Sequence, residues 1–222
     1  MRPDVCAGYV RAFLQHLETA GAVPPARQVL VGRDLRQSSP GIAAACLSAA
    51  EAAGYAATDC GALPTPALAL EAMRLAAPAI MVTGSHIPAD RNGLKFYRPS
   101  GEITKADEAG ILGQFDGPGA LPAAGTAKST ASTLALDNYR RRYLSLSGAF
   151  ALDGMRVGVY QHSSVARDLI VDVLANLGAE PVPLGRSDAF IPVDTEALRM
   201  EDMELARNWA GEKHLDAIVS TD

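Results

Sequence analysis

The first half of the chain alternates between apolar patterns of helical and of strand spacing. Residues 5–17 carry apolar side chains at intervals of three and four, which predicts an amphipathic helix that ends before Gly21. Residues 29–32 (VLVG) and 79–82 (AIMV) are short apolar runs that predict buried strands, and residues 94–97 predict a further strand. Strands separated by helical segments are typical of α/β proteins.

Capping signals place the helices that lie between these strands. Residues 39–40 (Ser-Pro) combine an N-cap residue with a first-turn proline and predict a helix to about residue 54. Residues 65–66 (Thr-Pro) repeat the combination and predict a helix to about residue 75. The Thr-x-x-Asp pattern of residues 104–107 predicts a capping box at the start of another helix.

The second half of the chain repeats the alternation after a segment of small residues. Residues 116–133 are almost all Gly, Ala, Pro, Ser or Thr, a composition that is typical of a linker or long loop. Beyond it the predicted elements are a helix over 134–146, a strand over 156–160, a helix capped by Ser163 or Ser164 that runs to 177, a strand over 181–184, a helix over 201–214 and a strand over 216–220. We therefore expect an α/β fold of two consecutive domains, residues 1–125 and 126–222, with mostly parallel, helix-covered sheets.

Composition narrows the class of protein. The 222 residues carry a net charge of −5, which argues against a general nucleic-acid binder because such proteins usually present a basic surface. No stretch is apolar and long enough to predict a membrane span, and Met1 leads directly into a helical pattern, so we expect no leader. The three cysteines have no CxxC spacing, and we interpret them as reduced thiols of a cytoplasmic protein.

Polar residues that follow strands are the first candidates for chemistry. In a parallel sheet, active residues gather on loops beyond the carboxyl ends of the strands. That rule selects the loops at Arg33, Ser85, Gln161 and Asp222. Ordinary helix capping is a sufficient explanation for the loop at Gln161.

The loop at residues 83–88 (TGSHIP) has the composition of a phosphate-binding turn. Gly84 permits a close approach of the backbone, and backbone amides around Ser85 could hold a phosphate. The turn signal Asn92-Gly93 returns the chain and brings Lys95 near Ser85 from the next strand. A lysine in that place could balance phosphate charge or act as general acid or base.

Less specific interpretations of the same residues stay open. His86 could merely hydrogen-bond the loop, Lys95 could be a solvated strand residue, and Arg33 could form a strand-end ion pair with Asp34. A Ser-His-Asp hydrolase is disfavoured, because adjacent Ser and His do not easily adopt the nucleophile–base geometry and the Gly-x-Ser-x-Gly elbow is absent.

Four motifs in this order and spacing resemble the α-D-phosphohexomutase family, to which phosphomannomutases and phosphoglucomutases belong. They are VGRD at 31–34 with Arg36 and Ser38-Ser39, PTP at 64–66, TGSHIP at 83–88 and NGLK at 92–95. The resemblance is close over residues 5–115 and weaker through the second half. It implies the front half of a four-domain enzyme.

The resemblance also implies a mechanism and a set of roles. Ser85 would be the phosphoserine that passes its phosphate to the free hydroxyl of a hexose 1- or 6-phosphate, through a hexose 1,6-bisphosphate that reorients. His86 and Lys95 would be the catalytic residues beside it, and Arg33 and Asn92 would position the substrate or its phosphate. The resemblance further implies a Mg²⁺ cofactor, which would be held by the Ser85 phosphate and by Asp222, the first aspartate of the family's metal loop.

Three departures from the family pattern qualify that expectation. Ile87 stands where the family usually has asparagine, and the arginine-bearing Gly-Thr-Ser-Gly-x-Arg-Gly segment that usually opens the family has no counterpart. Asp222 alone cannot hold Mg²⁺ well, because the ion needs several oxygen ligands. We therefore expect C-terminal domains to be missing and the chain alone to be nearly inactive.

The expected function is the interconversion of hexose 1-phosphate and hexose 6-phosphate by a phosphomannomutase or phosphoglucomutase. A mutase for an amino sugar is a less favoured variant of the same chemistry. The main alternative is a non-catalytic module that binds phosphate or phosphosugars, such as a decayed paralogue that keeps the fold.

Overall fold

The computed structural model describes residues 1–22, 26–85, 87–120, 128–145, 152–191, 193 and 200–221. Its helices are α1 (Pro3–Thr19), α2 (Ser39–Ala52), α3 (Thr65–Arg74), α4 (Lys105–Gln114), α5 (Leu134–Leu144), α6 (Arg167–Asn176) and α7 (Met200–Lys213). Its strands are β1 (Gln28–Arg33), β2 (Ala56–Ala62), β3 (Ala79–Val82), β4 (Leu94–Arg98), β5 (Gly101–Glu102), β6 (Thr130–Ala131), β7 (Arg156–Tyr160), β8 (Glu180–Leu184) and β9 (Ala217–Val219).

The chain divides into two compact units. The first contains Met1–Gly84 and Arg91–Asn138, and the second contains Ser85–Asp90 and Tyr139–Asp222. The expected boundary at 125/126 falls within residues 121–127, which are outside the described part of the chain, and it stays a prediction. Within the described residues, no helix combines the length and the apolarity that a membrane crossing requires.

The first unit is built on a six-stranded sheet in the order β5-β4-β3-β1-β2-β6. β1 pairs in parallel with β2 and β3, and β2 pairs in parallel with β6, whereas β4 and β5 are antiparallel. The prediction of a mixed α/β fold with a mostly parallel sheet is confirmed.

The two faces of this sheet are covered by different helices. Val31 and Ile80 belong to the apolar cluster that α1 and α2 complete, with Phe13 of α1 entirely buried. On the other face, Gly32 lies against α3: a Cβ at this position would come within 3.1 Å of Leu68 of that helix. Alternate strand residues therefore serve opposite faces, as the two-residue period of a strand requires.

β2 is a strand that the sequence analysis missed. It lies between β1 and β6, in register from Gln28 opposite Ala56 to Val31 opposite Asp59. Its sequence, AATDCGA, lacks the Val, Ile and aromatic residues that usually mark strands. It is held instead by pairing on both edges and by burial of small side chains.

The predicted helix starts are close to the observed ones, but the capping residues differ. Ser38 and Pro64, rather than Ser39 and Thr65, occupy the N-cap positions, and neither forms a side-chain cap. The Ser39 hydroxyl donates instead to the carboxylate of Asp34. The Ser-Pro and Thr-Pro signals thus located the helices to within one residue without identifying the interaction.

The predicted capping box of α4 is confirmed and extends into a charged cluster. The Asp107 amide donates to the Thr104 hydroxyl, and the Asp107 carboxylate accepts from the Thr104 amide at 2.8 Å. The same carboxylate lies 3.0 Å from His16 Nε2 and 3.3 Å from Arg98 Nη1. Burial alone would raise the pKa of Asp107, but these hydrogen bonds and the arginine charge lower it to about 2.

The second unit contains a parallel three-stranded sheet in the order β8-β7-β9. The helix after β7 begins at Arg167, later than the predicted cap at Ser163 or Ser164. The intervening side chains are buried: His162 Nε2 lies 2.6 Å from the Thr221 carbonyl, and the Ser164 hydroxyl lies 2.6 Å from that of Thr221. This loop is therefore held to the segment after β9 and does not start the helix.

Candidate active site

Ser85 follows the buried strand β3 after two residues. It is half-buried, and its φ of +49° lies in the left-handed region. A residue with a side chain adopts that backbone at a cost of order 1 kcal/mol, and only where its surroundings impose it. The serine that the sequence selected therefore occupies the kind of backbone conformation that is concentrated at functional sites.

The entry to the Ser85 loop is held by Asp34. The Thr83 hydroxyl donates to Asp34 Oδ2 at 2.9 Å, and the Gly84 amide reaches the same oxygen at 3.4 Å. The Thr83 amide donates to the Gly93 carbonyl at 3.1 Å. Because Asp34 directly follows β1, the two neighbouring strand ends are linked through one carboxylate.

The exit from the loop is held by Asn92. Its side-chain amide donates to the hydroxyls of Ser38 at 3.0 Å and Ser39 at 2.8 Å, and its Oδ1 accepts from the Gly93 amide at 2.9 Å. Asn92 is buried. These contacts give it a structural task at the start of α2, and its expected part in positioning phosphate stays a prediction.

Arg36 is the residue at this site to which the sequence analysis gave no role. Its side chain is fully buried, with Nε 3.1 Å from Asp34 Oδ2 and Nη1 3.0 Å from the Arg91 carbonyl. Gly84 lies directly against it, because a Cβ on Gly84 would be 2.7 Å from Arg36 Cζ. The sequence shows this arginine two residues after Asp34, but the two residues share no helix or strand face, so their spacing did not predict that they pair.

Arg33 lies in a different environment from Arg36. It is half-buried at the end of β1, and its Nη1 donates to the Asp34 carbonyl at 3.4 Å. The alternative interpretation, an ion pair between Arg33 and the Asp34 carboxylate, is wrong for the described residues: the Arg33 guanidinium contacts the Asp34 carbonyl, and the carboxylate is paired with Arg36.

Lys95 is exposed on β4 and lies opposite Met81 of β3 in the antiparallel register. The predicted return of the chain through Asn92-Gly93 into a strand beside β3 is therefore what the structure contains. A role for Lys95 in proton transfer stays a prediction.

The remaining predicted site residues, His86 and Asp222, lie outside the described residues. Within the described part of the chain, no group of three or more His, Cys, Asp or Glu side chains is close enough together to hold a metal ion. Of the two proposed Mg²⁺ ligands, only Ser85 is among the described residues, and alone it offers fewer oxygens than the ion requires.

Comparison with known proteins decides the family. Residues 1–119 match the family described as phosphoglucomutase/phosphomannomutase, alpha/beta/alpha domain I. The chain belongs to this family. A phosphomannomutase of Sinorhizobium fredii is 49% identical over 99% of the chain, and one of Salmonella muenchen is 45% identical over 99%. A phosphoglucosamine mutase of Herminiimonas arsenicoxydans is 32% identical over 83%.

The match covers only part of these mutases. The aligned region is 47%, 45% and 42% of the three relatives, so the chain spans less than half of their length. A phosphoglucomutase/phosphomannomutase family protein of Burkholderia thailandensis has a similar fold, with a TM-score of 0.71 at 23% identity over 99% of the chain and 48% of its own. A Thermus thermophilus protein, provisionally a phosphomannomutase, gives 0.76 at 20% identity over 100% of the chain and 51% of its own. The resemblance noted in the sequence is confirmed.

Proposed function

We propose that this chain forms the front half of a phosphohexose mutase that interconverts hexose 1-phosphate and hexose 6-phosphate, most closely a phosphomannomutase or phosphoglucomutase. The observation that carries the proposal is the backbone of Ser85. A serine in left-handed conformation at the carboxyl end of a buried parallel strand, within the family's loop motif, supports the proposal of a nucleophile held in one orientation.

In the proposed reaction, Ser85 carries a phosphoryl group and delivers it to the free hydroxyl of the sugar. The bond between phosphorus and the Ser85 oxygen breaks as the sugar oxygen bonds to phosphorus, and the hydroxyl proton leaves to a general base. After the hexose 1,6-bisphosphate reorients in the site, its other phosphate returns to Ser85. We assign the role of general base to Lys95 and a catalytic role beside the nucleophile to His86, both on the basis of the family motif.

The two positioning residues are assigned with different support. Asn92 acts through the loop, since its side chain fixes the loop exit on the start of α2. Arg33 lies at the end of β1 with its Nη1 on the Asp34 carbonyl, and we propose that its guanidinium attracts the substrate phosphate.

Mg²⁺ is proposed from the family alone. The Ser85 phosphate and Asp222 would be its ligands in this chain, and the ion would supply charge neutralisation when bound. The described residues do not make up such a site, so no step of the reaction is assigned to the ion.

The rest of the catalytic apparatus is proposed to lie in C-terminal domains that this chain does not contain. The partial coverage of the relatives supports this. Because positioning and electrostatics supply most of the catalysis of phosphoryl transfer, residues 1–222 alone should show little or no turnover. The three buried free thiols support a location in the cytoplasm.

The direct test is a mutase assay of the natural protein with mannose 1-phosphate and glucose 1-phosphate, in which formation of the 6-phosphate is coupled to a dehydrogenase. Ser85→Ala should abolish turnover, whereas Ser100→Ala, at an exposed turn, should leave it unchanged. Full activity of Ser85→Ala would exclude the phosphoserine mechanism. A natural protein that binds hexose phosphates without converting them would support the non-catalytic alternative instead.

A further inference from the structure

The buried pair of Asp34 and Arg36 requires an explanation beyond stability. Arg36 is 1% exposed, and arginine is rarely buried to this extent unless it is paired. Moving both charges out of water costs so much that a buried ion pair often contributes little or no net stability. Its retention at this position therefore points to a geometric task.

The contacts of the pair locate that task at the two ends of one loop. At the entry, Asp34 accepts from the Thr83 hydroxyl, and the Arg36 guanidinium lies against Gly84. At the exit, Arg36 Nη1 donates to the carbonyl of Arg91. Only six residues, 85–90, separate these two anchored points.

We propose that Arg36 is a positioning residue for the Ser85 loop. Its guanidinium, oriented by Asp34, fixes the distance between the loop's entry and exit and thereby imposes the left-handed backbone of Ser85. The consequence for phosphoryl transfer rests on the proposed function. The structural part, that Arg36 closes the loop, does not.

The geometry of guanidinium explains why an arginine occupies this position. Its planar fork presents Nε to the Asp34 carboxylate and Nη1 to the Arg91 carbonyl at the same time. A lysine has one ammonium nitrogen and cannot reproduce both contacts in this geometry. Arg33, the arginine favoured by the sequence, donates to the Asp34 carbonyl instead and provides a matched control for the loop contacts of Arg36.

The closure can be measured without reference to activity. Arg36 holds the carbonyl of the Arg91–Asn92 peptide bond, which is itself a trypsin site with an exposed Arg91 side chain. In Arg36→Met, brief trypsin treatment of the natural protein should cleave this bond about tenfold faster, the effect expected for one hydrogen bond to a charged group. Arg33→Met should leave the rate unchanged. Cleavage after Arg33, in the central strand β1, reports global unfolding and should stay negligible in Arg36→Met.

Loss of one charge could unfold the protein, and a double variant separates the two effects. Asp34→Asn combined with Arg36→Met leaves no buried charge unpaired, so its thermal midpoint should recover relative to Arg36→Met alone. The positioning role predicts that Arg91–Asn92 cleavage stays fast in the double variant and that transfer of phosphate from glucose 1,6-bisphosphate to Ser85 stays about tenfold slow.

The outcomes are distinct. Cleavage and phosphate transfer that return to wild-type rates in the double variant would show that the pair only stabilises the fold and would overturn the proposal, as would an unchanged cleavage rate in Arg36→Met. If the wild-type protein takes no phosphate on Ser85, the proposed function fails, while the cleavage rates still decide whether Arg36 closes the loop.

Discussion

Gly84 offers a quantitative test of how tightly the Ser85 loop is packed. A Cβ at this position would lie 2.7 Å from Arg36 Cζ and 2.9 Å from both Nε and Nη2. The guanidinium cannot move aside cheaply, because its side chain is fully buried and bonded to Asp34 and to the Arg91 carbonyl. Gly84→Ala should therefore lower the free energy of unfolding by about 1–3 kcal/mol, the usual cost of overpacking.

The same substitution at Gly41 is the matched control. Gly41 is exposed in α2, and nothing lies within 4 Å of the Cβ it would gain. Alanine there should raise the free energy of unfolding by about 0.5–1 kcal/mol, because it restricts the unfolded chain and favours the helix. One methyl group is thus predicted to have opposite effects at the two positions.

Urea denaturation followed by circular dichroism measures both effects. The midpoint should fall for Gly84→Ala and rise for Gly41→Ala, with the slope of unfolding against denaturant unchanged in each. A Gly84→Ala variant as stable as the wild type would refute the claim that Arg36 and the loop entry are in fixed contact. A Gly41→Ala variant that is destabilised would show that the space around the added Cβ does not determine the sign of these effects.

Two further predictions follow from groups outside the loop. Burial raises the pKa of the Cys6 thiol to about 11 and that of the Cys60 thiol to about 12, and it raises the pKa of the Cys46 thiol as well. None of the three should therefore react with a disulfide reagent at pH 8 until urea unfolds the protein, and fast labelling of a folded sample would contradict this burial. The pKa of Asp107 is about 2 in the folded protein and near 4 in the unfolded chain, so the ionised carboxylate stabilises the fold above about pH 4 and this contribution is lost as the pH falls through about 2. Asp107→Asn should therefore lose less stability than the wild type across this window, and equal losses in acid titrations of unfolding would contradict the assignment.

Periodicity was sufficient for most elements of the fold, and its failure at β2 has a physical cause. Strands such as β3 have apolar side chains throughout, since both faces are covered, and the sequence displays them directly. β2 lies beside β1 but is built from small residues with Asp59 in the middle. Its strand conformation comes from pairing with two neighbours, which is a tertiary effect that a local pattern does not encode.

The candidate site divides in the same way. The Ser85 loop and the turn at Asn92-Gly93 follow from local rules about glycine and strand ends, and the structure contains both. The role of Arg36 depends on contacts with Gly84 and Arg91, about 50 residues away along the chain. Sequence reasoning therefore selected Arg33, the arginine nearer the strand end, and assigned Arg36 no role.

The measurement that tests the central claim most directly is the phosphorylation state of Ser85. The natural protein would be incubated with glucose 1,6-bisphosphate, digested with trypsin, and peptide 75–91 sequenced by tandem mass spectrometry, with Ser85→Ala as control. The account predicts one phosphoryl group on Ser85 and none on the control peptide. A wild-type peptide that stays unmodified, or a phosphate that maps to Thr83, would contradict it.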